Sequence, residues 1–116
     1  MPGREWRMRI QDILDTARKV IAHTSGLDFE TFTRDEWSVD AVLRNLTVIG
    51  EAAGHIPDEI CQRHPEVPWR NMRDLRNLVV HEYFGVDLTI VWTTIREDLP
   101  ALLSPLESLL QEESYP

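Results

Sequence analysis

Apolar residues return every three or four positions along most of this chain, and that spacing predicts helices from one end to the other. From Glu5 to about His23 the series Trp6, Ile10, Ile13, Leu14, Ala17, Val20 and Ile21 lines one face, with charges on the other. Ser25-Gly26 supplies a stop, because glycine tolerates the left-handed backbone at a helix end. After a short piece from Asp28 to Phe32, Thr33 and Glu36 form a T-x-x-E pattern, which predicts a capping box opening the second helix. That helix is expected to turn Val39, Val42, Leu43, Leu46, Ile49, Ala52 and Ala53 inward. Gly50 and Gly54 lie four apart on it, a spacing that lets a neighbouring helix come close and is read as packing.

Ile56-Pro57 ends that helix, and Asp58 is expected to cap a brief turn reaching Arg63. Pro65 and Pro68 bracket a short connection, with Pro68 where a first helical turn tolerates proline. From Trp69 the positions Met72, Leu75, Leu78 and Val79 predict a third long helix, ending near Tyr83-Phe84-Gly85. Asp87 is expected to cap the next, with Leu88, Val91, Trp92 and Ile95 inward. Asp98 followed by Pro100 is expected to restart the chain into a last helix carrying Leu102, Leu103, Leu106, Leu109 and Leu110. The polar end, Glu112 to Pro116, reads as a frayed tail. No alternating strand pattern, internal repeat or low-complexity tract interrupts this series. The expectation is a single all-α domain over residues 1–116, built as a four- to five-helix up-and-down bundle.

Composition narrows the class. The chain has 116 residues, a length typical of one domain and sufficient to bury a core without staples. Its single cysteine, Cys61, excludes an internal disulfide framework and any Cys-pair zinc site, and is read as a core residue. No apolar run approaches the ~18 residues that suggest a membrane span. Residues 1–10 mix three arginines with a glutamate and lead into no apolar stretch, so they do not read as a signal peptide. A cytoplasmic location is therefore expected.

The charge adds one feature. The net charge is −8, which argues against loose binding to nucleic acid. Between Cys61 and Asn77, however, Arg63, Arg70, Arg73 and Arg76 face only Glu66 and Asp74, a local +2 that leaves −10 for the rest. Of the 12 cationic residues only Lys19 is lysine, so the cations are of the planar, bidentate kind suited to phosphates and carboxylates.

Several familiar sites are absent, among them a glycine-rich phosphate loop, H-E-x-x-H and G-x-S-x-G. His23, His55 and His64 fall at helix ends and are read as surface or capping residues, so no metal is expected. The informative stretch is RDLRNLVVHEYFGVD, residues 73–87. On an ideal helix Arg76 and Tyr83 return to within about 20° of each other, whereas Arg76 and His81 diverge by about 140°. Asn77 and His81, four apart, stack on one face. An imidazole that titrates near neutrality can move a proton to or from a ribose oxygen, and a guanidinium can brace charge building on phosphorus. The two together suit RNA phosphodiester cleavage. A salt-bridged surface arginine and a half-buried histidine are the alternative reading of the same pair.

The pattern R-x-x-x-x-H-x-Y, here Arg76, His81 and Tyr83, resembles the signature of HepT-like toxins of the HEPN superfamily. The similarity runs from Asn45 to Glu107, with landmarks Gly50-Glu51-Ala52-Ala53, Pro65-Glu66-Val67-Pro68-Trp69 and Val86-Asp87. RIQDIL and FETFTRDE match more loosely. The resemblance implies a HEPN-type helical bundle that forms a homodimer, with Arg and His of both protomers lining a cleft. It implies a metal-independent ribonuclease with Arg76 and His81 as catalytic residues, needing no cofactor. It also implies a partner, an MntA-type minimal nucleotidyltransferase antitoxin, which neutralises the toxin by AMPylation of Tyr83. A phosphate-bearing adduct beside Arg76 would occupy the anion site and repel an RNA backbone.

Four further residues are candidates for supporting roles. Asn77 is placed to orient the His81 imidazole. Glu51 either pairs with a motif arginine or faces water. Arg70 and Arg73 either extend a phosphate track toward Arg76 or form a solvated helix face. The rival to a nuclease is a non-catalytic interaction or nucleotide-binding module that assembles with a nucleotidyltransferase.

Overall fold

The computed structural model describes residues 2–81 and 87–113, with side chains from residue 5 to 77 and from 87 to 113. Every element in it is helical, and no strand occurs among the described residues. Four long helices carry the bundle: α1 (Pro2–Thr24), α3 (Glu36–Gly54), α5 (Trp69–His81) and α7 (Leu99–Glu112). Short helices α2 (Phe29–Arg34), α4 (Asp58–Arg63) and α6 (Leu88–Thr93) join them, and a π-helical turn, Thr94–Asp98, leads from α6 into α7. α3 is the central element. It packs on α5 along one flank and on α1 along the other, while α7 closes over α1.

The periodic apolar positions form the core as their spacing predicts. Ile10, Ile13, Leu14 and Ala17 of α1 meet Val42, Leu46, Ile49 and Ala53 of α3, with Leu99, Leu102, Leu106 and Leu109 of α7 completing one cluster. Burying side chains of this size contributes about 1.5–3 kcal/mol each before the entropy of ordering is deducted.

The helix boundaries correct the sequence reading in four places. Thr33 does not open α3. It lies inside α2, where its hydroxyl donates to the Glu30 carbonyl, and Asp35 is the capping residue, accepting from the Ser38 amide. Two cap signals stood two residues apart, and the one adjoining the longer helix won. The Ser38 hydroxyl also donates to Asp35, so it accepts from Nε2 of His23 at 2.8 Å, and this chain ties α1 to the start of α3. Those hydrogen bonds hold the Asp35 carboxyl below its usual range.

Second, Asp58 is the first residue of α4 and makes no cap; Pro57 occupies that position. Third, Asp98 does not restart the chain. It keeps right-handed helical backbone and makes no side-chain cap, and the Leu99 amide donates five residues back to the Thr94 carbonyl. Pro100 has no amide to donate and its ring crowds the preceding turn, so the widened turn carries the helix across it.

Fourth, His64 caps the C-terminus of α4, its amide donating to the Cys61 carbonyl, but it is not a surface residue. It is buried, with Nε2 2.7 Å from Glu113 and Nδ1 3.3 Å from Glu66 and 3.4 Å from Glu112. Arg63 grips Glu113 with two hydrogen bonds, at 2.7 and 3.0 Å, and Arg7 donates to the Glu113 and Leu110 carbonyls. This clasp anchors the end of α7 to the α4–α5 connection and to α1. The Arg63 and His64 hydrogen bonds pull the Glu113 carboxyl down to about 2. A carboxyl lowered in the folded state stabilises the fold above its unfolded value near 4.5 and loses that contribution as pH falls toward 2. Glu113→Gln is therefore expected to melt several degrees lower than wild type near pH 6. The two melting curves should converge near pH 2, as followed by circular dichroism.

Candidate active site on helix α5

Helix α5 begins after Pro68, whose carbonyl accepts from the Met72 amide, and Trp69 anchors its start by donating from Nε1 to the His64 carbonyl at 2.9 Å. Met72 and Leu75 pack inward. Arg70 and Asn77 stand exposed on the other face, and Arg76 is exposed at the edge of α5 next to α3.

Arg73 is turned elsewhere. Its Nε reaches the Ala53 carbonyl at 3.5 Å and its Nη2 lies 3.2 Å from the Cys61 sulfur. A cation at the carbonyl end of α3 meets the negative pole of that helix, so Arg73 locks α5 against the α3–α4 corner. Cys61 is half-buried, and burial pushes its thiol up, as suits a packing residue more than a nucleophile.

Arg76 faces α3. Its Nη1 lies 3.6 Å from Oε1 of Glu51, and each side chain is about half exposed, at 50% and 51%. Glu51 thus both pairs loosely with the motif arginine and faces water. The separation exceeds a hydrogen bond, and an exposed pair of this kind contributes at most about 1 kcal/mol. The contact engages Nη1 alone, and a guanidinium has further N–H donors that can meet a phosphate. His81 closes α5. Its side chain, and Tyr83 altogether, lie outside the described residues, as does the expected stacking of Asn77 on His81.

The two glycines of α3 differ. A Cβ built on Gly50 would lie 2.6 Å from the Arg76 backbone nitrogen and 2.9 Å from its Cβ, whereas nothing comes within 4 Å of one built on Gly54. The close approach expected from the pair is confined to Gly50, at the level of Arg76. Helical spacing missed another feature of α3. Trp37 is 87% exposed and Val48 41% exposed, on the face that also carries Glu51. Trp37 lies nine residues before the buried Leu46, about 180° round the helix. That angle was available from the sequence.

The bundle and this half-exposed arginine beside a carboxylate, five residues ahead of a helix-terminal histidine, define a small all-α domain of HEPN type. The chain matches the family model described as "Ribonuclease HepT-like" over residues 13–109, and it belongs to that family. It is 39% identical over 100 residues to a protein of Thermococcus cleftensis named probable ribonuclease HepT, covering 86% of this chain and 91% of the relative. A putative RNase of Methanocaldococcus jannaschii is 36% identical over 107 residues, covering 92% and 98% of the two chains. Another putative RNase, from Caldanaerobacter subterraneus subsp. tengcongensis, is also 36% identical over 107 residues, covering 92% and 96%. No solved structure matches the chain. Among the described residues no helix is long and apolar enough to cross a membrane, and no group of three or more His, Cys, Asp or Glu residues could hold a metal ion.

Proposed function

We propose that the protein is a metal-independent endoribonuclease, the toxin of a HepT/MntA-type toxin–antitoxin pair. The observation that carries the reading is the placement of Arg76. It is solvent-facing, held by one loose ion pair, and fixed by its helix in a family whose relatives are named ribonucleases.

In the proposed reaction a ribose 2′-oxygen attacks the adjacent phosphorus and the bond to the 5′-oxygen breaks. His81 serves as general acid/base, taking the 2′-OH proton when neutral or protonating the leaving 5′-oxygen when charged. Arg76, with Nη1 kept beside Glu51, turns the rest of its guanidinium to the phosphate and stabilises the extra negative charge on the phosphorane-like transition state. Asn77 orients the imidazole, and Arg73 keeps α5 seated on α3. The products are a 2′,3′-cyclic phosphate and a 5′-hydroxyl.

The protein acts as a homodimer in this reading, and the exposed Trp37 and Val48 on the Glu51 face of α3 support a paired surface there. Its antitoxin is an MntA-type minimal nucleotidyltransferase, which moves AMP from ATP to the Tyr83 phenol oxygen with release of pyrophosphate. The adduct places negative charge where an RNA phosphate would bind.

The test is the product chemistry. Cleavage of a mixed-sequence RNA oligonucleotide is expected to leave 2′,3′-cyclic phosphate ends, and the same sequence with every 2′-OH methylated should resist. Cleavage of the methylated strand, or 3′-hydroxyl products, would exclude the mechanism. Sedimentation of the free chain at twice its monomer mass is expected alongside.

A further inference from the structure

We infer that Gly50 and Glu51 of α3 together position Arg76, the glycine by setting how deeply α5 seats against α3 and the glutamate by tethering the guanidinium. The inference rests on the ribonuclease reading for its catalytic consequence, and on geometry for the positioning itself. A Cβ on Gly50 would fall 2.6 Å from the Arg76 nitrogen, 2.9 Å from its Cβ and 3.2 Å from its Cα. All three atoms are backbone or adjoin it, so no side-chain rotation relieves them, and α5 itself must retreat by about 1 Å to reach ordinary contact.

The next residue along α3, Glu51, supplies the carboxylate 3.6 Å from Arg76 Nη1. Backbone spacing and side-chain tether thus come from adjacent residues and act on one arginine. Gly54, one turn further on, meets nothing within 4 Å and serves as the internal control. A displacement of about 1 Å at a charge-stabilising group is enough to lower a rate by as much as a hundredfold. Because the transition state carries the charge that Arg76 meets, the loss is expected in kcat more than in KM.

The experiment uses the full chain as wild type, Gly50→Ala, Glu51→Gln and Gly54→Ala. Each is read by the Arg76 backbone amide and Nε–H resonances in NMR and by kcat and KM on a single-stranded RNA oligonucleotide. Gly50→Ala is expected to shift both resonances and lower kcat at least tenfold, with KM within about twofold of wild type. Glu51→Gln should shift the Nε–H resonance and lower kcat while leaving the amide in place. Gly54→Ala should match wild type throughout.

Unshifted Arg76 resonances in Gly50→Ala, or shifted resonances with wild-type kcat, would overturn the role of the glycine. Wild-type behaviour of Glu51→Gln would overturn the tether, and it decides the proposal should Gly50→Ala fail to fold. If the wild type cleaves no RNA, the ribonuclease reading falls, and the resonances alone still decide whether these residues position Arg76.

Discussion

Arg76→Ala is expected to lower RNA cleavage by about a hundred- to a thousandfold while the protein folds as before. The size follows from what the side chain does in the proposed reaction. Removing one preorganised group that meets developing charge costs about 3–4 kcal/mol of transition-state stabilisation. The cost to the fold is small for a separate reason. Arg76 is half exposed, and its ion pair with Glu51 at 3.6 Å lies in water; losing such a pair changes stability by at most about 1 kcal/mol. The melting temperature should therefore stay within about 4 °C of wild type. Arg76→Lys is expected to fall between the two, since the ammonium keeps the charge but not the planar fork that meets two phosphate oxygens. Cleavage by Arg76→Ala within threefold of wild type would place the charge-stabilising group elsewhere.

Phe32→Ala is expected to produce the largest loss of stability. Phe32 is fully buried, with its ring centroid 5.2 Å from that of Trp92, and Phe29 approaches the same indole from the side at 6.1 Å. Arg96 lies over Trp92 at 4.3 Å and donates to the Thr24 and Leu27 carbonyls. Phe32 thus joins α2 to α6 through Trp92, and Arg96 links that indole to the turn after α1. Truncation removes its transfer energy and leaves a cavity that these anchored neighbours cannot fill, at a cost of about 3–5 kcal/mol. In a domain of this size that corresponds to a fall in melting temperature of more than about 10 °C, measurable by calorimetry. A fall of only a few degrees would mean that the α2–α6 corner collapses onto the gap.

What was legible in the sequence divides along physical lines. The inward faces of the long helices could be read because a helix exposes its period in one dimension, as Ile10, Leu46 and Leu106 show. The Asp87 cap of α6 was equally local, its carboxylate accepting from the Thr89 amide. Thr33 and Asp58 misled because cap signals are short and a competing residue stood beside each. The π-helical turn before Pro100 is hidden in the sequence because proline signals a break, although a widened turn can bridge it.

Local pattern puts His64 at a helix end, where it caps α4, but gives no sign of its burial. Its partner Glu113 lies 49 residues away, and only the return of α7 brings the two together. The site follows the same rule. The motif names Arg76 and His81 as candidates, and of the two only the Arg76 side chain is described. The pairing of Glu51 with Arg76 remained open in the sequence because it depends on how α3 and α5 cross. The spacing of Gly50 and Gly54 points to packing, but what Gly50 meets, the backbone of Arg76 itself, appears only in three dimensions.

In the proposed function this chain cuts RNA without metal, using His81. The most direct measurement incubates the chain, shown by intact mass to carry no adduct, with RNA in EDTA, beside His81→Ala. Cleavage by the wild type and none by the variant is the predicted result. Cleavage by neither across several RNA substrates would contradict the account and leave the non-catalytic interaction module as the better reading. Equal cleavage by both would contradict the assignment of His81.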